Sequence, residues 1–463
     1  MADSKTFLGT EPIGGLLAKL ALPTVAAQLI NMLYNIVDRI YIGHIPGEGA
    51  MALTGVGVCM PIIMVVSAFA SLVGYGGSPR ASIYMGKNDQ KTAESILGNC
   101  FALLVLISLG LTAVLLVWSR PLLLTFGASE NTIGYAVSYM NIYACGTIFV
   151  QLTLGMNAFI TAQGFAKTGM LSVLIGAVCN IVLDPVFIFV FDMGVPGAAL
   201  ATILSQAVSC IWVLAFLFGK KTVLRIRREN LRLSAPVILP CVALGLATFI
   251  MQTSESILSV CFNSSLLKYG GDIAVGAMTI LSSVMQFAML PLQGLGQGAQ
   301  PIISYNYGAG NGKRVKDAFF LLLKCSVIYS LLLWLSVELA PHLFAGIFTS
   351  NPELVEFSSG ALRIYMAGMF LFGVQMACQM TFNSLGNAKA SIAVAVVRKF
   401  VLLIPLIYAM PLLFSSSPEA QTRAIYMAEP IADILAVTFT ATLFYFQFRK
   451  ALRPFPQKKN VIQ

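Results

Sequence analysis

Two acids stand where an acid is costly. Asp184 lies in Asn180-Ile-Val-Leu-Asp184-Pro185, inside an otherwise apolar run from Leu171 to Phe191. An ionised group in hydrocarbon costs at least ~2.5 kcal/mol and commonly marks a pathway or a partner. Asn180 and Asp184 are an i, i+4 pair, so they share one helix face. Pro185 has no N–H for the Ile181 carbonyl, which kinks a helix and frees an acceptor beside the carboxylate. An acid, an amide and a loose carbonyl make an oxygen-rich cation site. The other reading is a neutral buried Asp held by hydrogen bonds. Asp38, Asp184 and Thr202 each fall a turn or two inside the outer end of their own apolar stretch. At 1.5 Å per residue all three lie roughly 7–11 Å below the outer surface. Asp38, Asn180, Asp184 and Thr202 could therefore meet in one pocket. Two carboxylates so close do not both stay ionised without a shared proton or a cation. That is the chemistry of Na⁺ or H⁺ coupling. The alternative for Asp38 is a pair with Arg39, although successive helical residues point about 100° apart.

The elements that must position these residues are membrane helices. The 463 residues are 57% hydrophobic and 10% charged, with a mean hydropathy of +0.83. That composition belongs to an all-α polytopic membrane protein. A polar segment, Met1 to Pro12, precedes the first span without an evident cleavage site. A span needs ~20 apolar residues. The pattern predicts twelve: Leu16–Gly43, Ala52–Gly76, Ser95–Trp118, Ile133–Met156, Thr168–Phe191, Val195–Phe218, Val237–Phe262, Ile273–Ala299, Ala318–Ala340, Leu354–Met380, Ala390–Leu413 and Ala424–Phe446. The nine cysteines lie almost entirely in these segments without a C-x-x-C pair, and read as small core residues.

The net charge of +10 does not imply a nucleic-acid partner, because the basic residues sit between spans. Lys5 precedes span one; Arg80, Lys87 and Lys91 follow span two; Lys167 follows span four. Lys220, Lys221, Arg225, Arg227, Arg228 and Arg232 follow span six, and Lys313, Arg314 and Lys316 follow span eight. Lys389 follows span ten, and Arg449, Lys450, Arg453, Lys458 and Lys459 close the chain. The positive-inside rule then puts both termini in the cytoplasm.

The halves repeat at an offset of 222, which lays Pro79 on Pro301, Gly76 on Gly298, Gly86 on Gly308, Gly146 on Gly368 and Gly164 on Gly386. Six spans per copy keep the orientation, so the pseudo-twofold lies along the membrane normal, as alternating-access transporters use. The division is residues 1–219 for an N-lobe, 220–235 for a basic linker, and 236–463 for a C-lobe. Function is expected where the repeat breaks. Asp38, Asn180 and Asp184 face Val260, Leu402 and Leu406 in the other half, and Glu255 faces Leu33. Gln286, Gln293, Gln297 and Gln300 form one stripe of span eight, opposite Met64, Ser71, Tyr75 and Ser78 in span two. These two stripes either line a cleft or act as interhelical hydrogen-bonding glue. Arg398 and Asp433, with Glu429 one turn away, read as a structural ion pair.

Several stretches together resemble the multidrug and toxic compound extrusion (MATE) family, most of all its DinF-like, MepA-type prokaryotic branch. They are NMLYNIVDRIYIGH (Asn31–His44), GYGGSPRASIYMGKND (Gly74–Asp89), TAQGFAKTG (Thr161–Gly169), CNIVLDPVFIF (Cys179–Phe189), GVPGAALAT (Gly194–Thr202), PLQGLGQGAQPIISYNYGAGN (Pro291–Asn311) and FNSLGNAKAS (Phe382–Ser391). The resemblance implies a V-shaped bundle of six plus six helices. It implies a monomer in a prokaryotic cytoplasmic membrane that exports small amphiphilic or cationic organic compounds in exchange for Na⁺ or H⁺, with no other cofactor. It assigns the cation site to Asp38, Asn180, Asp184 and Thr202 with the Ala198 carbonyl. Another branch uses acids in spans seven and ten. Glu255 matches the first, but span ten around Arg363–Met380 has no acid, so Glu255 is expected to meet cationic substrate instead. The alternatives are a flippase for lipid-linked precursors, for which a more basic cleft is expected, and an intramembrane aspartyl enzyme, whose sequence contexts are missing. No G-x-x-x-x-G-K-[ST] motif supports an ATP-driven pump.

Overall fold

The protein is described here as a computed structural model covering residues 7–453. Lys5, Lys458 and Lys459, used above to orient the termini, lie outside the described residues. Among the described residues nine helices are long and apolar enough to cross a membrane, and two bent pairs each add one span. One of the nine, Ala235–Gly308, runs for 74 residues. A straight helix of that length would reach ~110 Å, far beyond a bilayer, so it counts as two spans. The reversal is at Gly271, whose φ of 67° and ψ of −165° lie outside helical space and suit glycine alone.

The twelve spans are α1 (Ile13–Gly43), α2 (Gly49–Gly86), α3 (Gln90–Thr125), α4 (Ile133–Cys145 and Thr147–Ala162), α5 (Ala166–Val190) and α6 (Val195–Phe218), then α7 (residues 235–270), α8 (residues 272–308), α9 (Gly312–Leu339), α10 (Pro352–Tyr365 and Met369–Ser384), α11 (Ala388–Leu413) and α12 (Pro418–Leu452). Three expectations are corrected. The spans run well beyond the apolar runs: α2 continues as helix through Pro79 to Gly86, and α8 through Pro301 to Gly308. The loop expected between Phe262 and Ile273 does not exist, since both helices continue to Gly271. Arg80, read as a loop charge, sits inside α2, half-buried, with its Nε lacking a hydrogen-bond partner.

The repeat is visible in detail. α4 bends by 58° around Gly146 and α10 by 45° near Gly368, the glycines that the 222 offset pairs. Gly164 and Gly386 both take positive φ, at 90° and 73°. Asp89 caps α3 by accepting from the Thr92 N–H, and Asn311 caps α9 by accepting from the Arg314 N–H.

Three apolar cores define the shape. One is shared by both lobes at the end carrying the basic loops, and includes Leu16, Val73, Phe159, Ile302, Phe382 and Phe444. At the opposite end each lobe has its own core: Val56, Tyr139 and Val195 in one, Leu281, Met369 and Ile407 in the other. The lobes therefore meet at one end and splay at the other, with a cleft between them. The linker is no loose tether: Leu224 and Ile226 are buried in the shared core, and Arg227 pairs with Glu94 at 2.6 Å.

Contact at the closed end is backbone against backbone. A Cβ on Gly86 would sit 2.0 Å from the Tyr305 carbonyl, and one on Gly308 would sit 1.9 Å from the Ile83 carbonyl. These contacts are pseudo-twofold images of each other. Gly86→Val and Gly308→Val are each expected to lower thermal stability in detergent by overpacking, about 1–3 kcal/mol. Gly57→Ala, where a Cβ meets nothing within 4 Å, is expected to match or slightly exceed the parent. A second expectation concerns the caps. The Thr92 hydroxyl and amide hold Asp89 below its ordinary carboxyl range. That stabilisation is present above the unfolded-state pKa and is lost as pH falls through the folded one. Amide exchange at Thr92 should therefore accelerate in acid, beyond the intrinsic pH effect, while that at Arg314, capped by a neutral Asn, should not.

Candidate functional site

α5 carries Asn180 and Asp184 into the N-lobe interior, and α1 carries Asp38 to meet them. All three are buried, Asp184 completely. Asn180 Nδ2 donates to Asp184 Oδ1 at 3.3 Å, and the Asp38 carboxyl faces that of Asp184 within hydrogen-bonding reach. Pro185 ends the α-helical part of α5, and the chain continues as a π-helix over Val186–Val190. Such insertions concentrate at functional sites. Arg39 is exposed and acts on Asp38 only through space, so the adjacent pair considered from sequence does not neutralise the acid.

Three buried oxygens at this spot, Asp38 Oδ1, Asn180 Oδ1 and Asp184 Oδ2, receive no hydrogen bond. Buried acceptors are nearly always satisfied. Bare oxygens gathered around two carboxyls fit a proton or a hard cation such as Na⁺, which prefers oxygen donors. Among the described residues no three His, Cys, Asp or Glu side chains cluster to hold a metal ion. A cation here would be held by two acids with help from neutral oxygens.

Thr202 and Ala198 join the site at one remove. Thr202 Oγ1 donates to the Ala198 carbonyl at 3.0 Å, and the buried Tyr139 lies near both Thr202 and Asp38. Tyr34 lies near Gln206 and beside both acids. Sequence reasoning missed Tyr34, Tyr139 and Gln206. Tyr34 is one turn before Asp38, and Gln206 one turn after Thr202, so the i±4 rule could have found these two. Tyr139, on the bent α4, had no such signal.

Half of the glutamine stripe touches the other lobe. Gln297 donates to the Tyr75 hydroxyl at 2.9 Å and Gln300 to the Ser78 hydroxyl at 3.3 Å. Each residue touches its own repeat counterpart, so the pseudo-twofold axis passes between them. Gln28 donates to Gln297 at 3.1 Å, and Gln252 to Ser71 at 3.1 Å. These bonds form the cleft floor. Further along the same stripes, Gln286, Gln293 and Met64 are exposed. The bonded half fits the glue reading.

In the C-lobe, Arg398 Nη2 lies 2.9 Å from Asp433 Oδ1 and 3.3 Å from Glu429 Oε1, and its guanidinium covers the Phe372 ring at 4.7 Å. Glu255 is not a lone carboxylate. Lys399 Nζ approaches its Oε1 to 2.7 Å. Lys399 was overlooked in sequence, although a lysine inside an apolar run was the signal.

The sequence profile of the MatE family matches residues 23–186 and again 246–409. The chain belongs to the MATE family of transporters. Relatives include the multidrug export protein MepA of Staphylococcus aureus (strain MSSA476), 24% identical over 409 residues, covering 87% of this chain and 88% of that one. MepA of Staphylococcus haemolyticus (strain JCSC1435) is 24% identical over 424 residues, covering 91% and 92%. In structure, the fold is similar to an outward-facing multidrug resistance MATE family transporter of the MOP superfamily, with a TM-score of 0.89, 22% identity, and 97% and 98% of the chains covered. It is also similar to a MOP superfamily transporter from Pyrococcus furiosus Vc1 (DSM3638), with a TM-score of 0.88, 23% identity, and 97% and 98% covered. At these identities the likeness shows the fold.

Removing one partner of a buried ion pair strands the other. Arg398→Met leaves Glu429 and Asp433 side by side without their cation. It is expected to cost about 3–5 kcal/mol, read as a fall in unfolding temperature of the purified protein.

Proposed function

We propose that the protein is a secondary active multidrug exporter that moves organic, often cationic, amphiphiles out of the cell in exchange for Na⁺ or H⁺. The observation that carries this reading is the buried Asp38–Asp184 pair with its three bare oxygens, inside one wall of a two-lobe cleft. The positive-inside rule assigns the closed, basic end to the cytoplasm, so the cleft opens outward. Cytoplasmic termini, a prokaryotic cytoplasmic membrane, a monomer, and lobes bounded at 219 and 236 belong to the same proposal. The names of the MepA relatives support the substrate class.

In the outward-open state the N-lobe acids take up a proton or Na⁺. Two facing carboxylates repel; neutralising one relaxes α1 against α5, whose π-segment beside Asp184 supplies the give. The lobes then rock about the glycine contacts, exposing the cleft to the cytoplasm. One charge crossing 100 mV supplies ~2.3 kcal/mol per cation. A flippase reading is not favoured: the N-lobe wall offers acids, where a pyrophosphate would need bases. The spectrum of exported compounds would come from the apolar and methionine-containing cleft walls, which can adapt their packing.

The test is ethidium efflux from proteoliposomes under an imposed Na⁺ gradient, then an imposed pH gradient. Wild type is expected to respond to one of them. Asp184→Asn and Asp38→Asn are expected to lose at least tenfold in driven efflux. Undiminished, still gradient-dependent efflux in Asp38→Asn would remove Asp38 from the coupling site.

A further inference from the structure

The C-lobe charges form a second centre that ion pairing alone does not explain. Arg398 and Lys399 both lie on a π-helical segment of α11, Val397–Leu403. α11 is the repeat counterpart of α5, the helix whose own π-segment adjoins Asp184. At the 222 offset, Arg398 and Lys399 fall on Gly176 and Ala177, so the two cations are peculiar to this lobe.

The charge balance is informative. Arg398, Lys399, Glu429 and Asp433 are all more than nine-tenths buried and sum to zero. Glu255 is the surplus. Its side chain is 58% accessible, whereas that of Lys399 is 6% accessible. Gln252, three residues before Glu255, makes the last side-chain bond across the cleft floor, to Ser71. Glu255 therefore lies about one helical turn above that floor on α7. Lys399 has acids on two sides: it bonds Glu255 at 2.7 Å and also lies within electrostatic reach of Glu429 and Asp433.

We propose that Lys399 is a tethered competitor of the transported organic cation, holding the Glu255 carboxylate while the cleft is empty and yielding it to substrate by turning toward Glu429. The exchange is charge for charge. Substrate neutralises Glu255, and Lys399 stays balanced within the buried set, so no uncompensated charge is left in the C-lobe. The class selected is monovalent amines, quaternary ammoniums and aromatic cations. The same competition returns the site to Lys399 when the cleft faces outward, which keeps binding weak enough for release. This inference rests on the exporter reading and adds the residue that tunes its affinity.

The experiment is equilibrium binding of ethidium to the purified full-length protein in detergent, at fixed ionic strength, by fluorescence anisotropy. Lys399→Gln is expected to bind ethidium at least tenfold more tightly than wild type, and Glu255→Gln at least tenfold more weakly. The double variant should behave as Glu255→Gln, because the competitor then has nothing to guard. A purely structural ion pair would move both single variants in the same direction. Unchanged or weaker binding by Lys399→Gln overturns the proposal. If that variant does not fold, Lys399→Arg carries the test. Its planar fork grips a carboxylate at least as firmly, so weaker ethidium binding than wild type is expected, and tighter binding overturns the proposal. Wild type that binds ethidium without the tightening defeats this inference alone. Wild type that binds neither ethidium nor tetraphenylphosphonium defeats the exporter reading with it.

Discussion

Backbones at the closed end approach so nearly that no side chain beyond hydrogen fits between them. Gly86 faces the Tyr305 carbonyl and Gly308 faces the Ile83 carbonyl, and Gly76 and Gly298 make equivalent close approaches to Cys241 and Ala21. Such contact fixes where the pseudo-twofold axis runs, and it commits one end of the bundle to a shared core. The two lobes must then diverge at the other end. The floor of glutamine and hydroxyl pairs follows from it, and so does the exposure of Glu255, Gln286 and Gln293 above that floor. A bulkier residue at either glycine would part the lobes by more than a hydrogen bond can bridge.

On this symmetric frame the two lobes solve the problem of buried charge in opposite ways. The N-lobe leaves two carboxyls facing each other, with three oxygens bare and the nearest base, Arg39, exposed. That arrangement is stable only when a proton or cation is shared, which makes its occupancy a variable. The C-lobe compensates its acids internally through Arg398 and Lys399, leaving one exposed acid in excess. In the proposed function, one centre takes a small inorganic cation in a closed pocket and the other a larger organic one in an open cleft. Both sit beside π-helical segments of repeat-related helices. There the lost α-helical register lets a helix bend without exposing its backbone to lipid.

Much of this was legible in the chain itself, for reasons that are local. Apolar run length gives spans, because a bilayer leaves a helix no other way to satisfy its backbone. The 222-residue repeat gives parallel lobes, because six spans conserve direction. Acids in apolar runs at matched depths give the N-lobe pocket, because helical rise converts position into depth. Asp38, Asn180 and Asp184 meet as that arithmetic implies, and Thr202, bonded to the Ala198 carbonyl, stands at one remove from them.

What the tertiary structure alone decided was which groups lie between lobes and which partner each charge takes. Nothing in the spacing of Glu255 and Lys399, 144 residues apart, places an ammonium on that carboxylate. Their contact depends on how α7 packs against α11. Gln297 and Gln300 gave no sign that they would close a floor while Gln286 and Gln293 stayed open, because that depends on the angle between lobes. Helix periodicity fixes the face a residue occupies. Only the packing of one helix on another decides what that face meets.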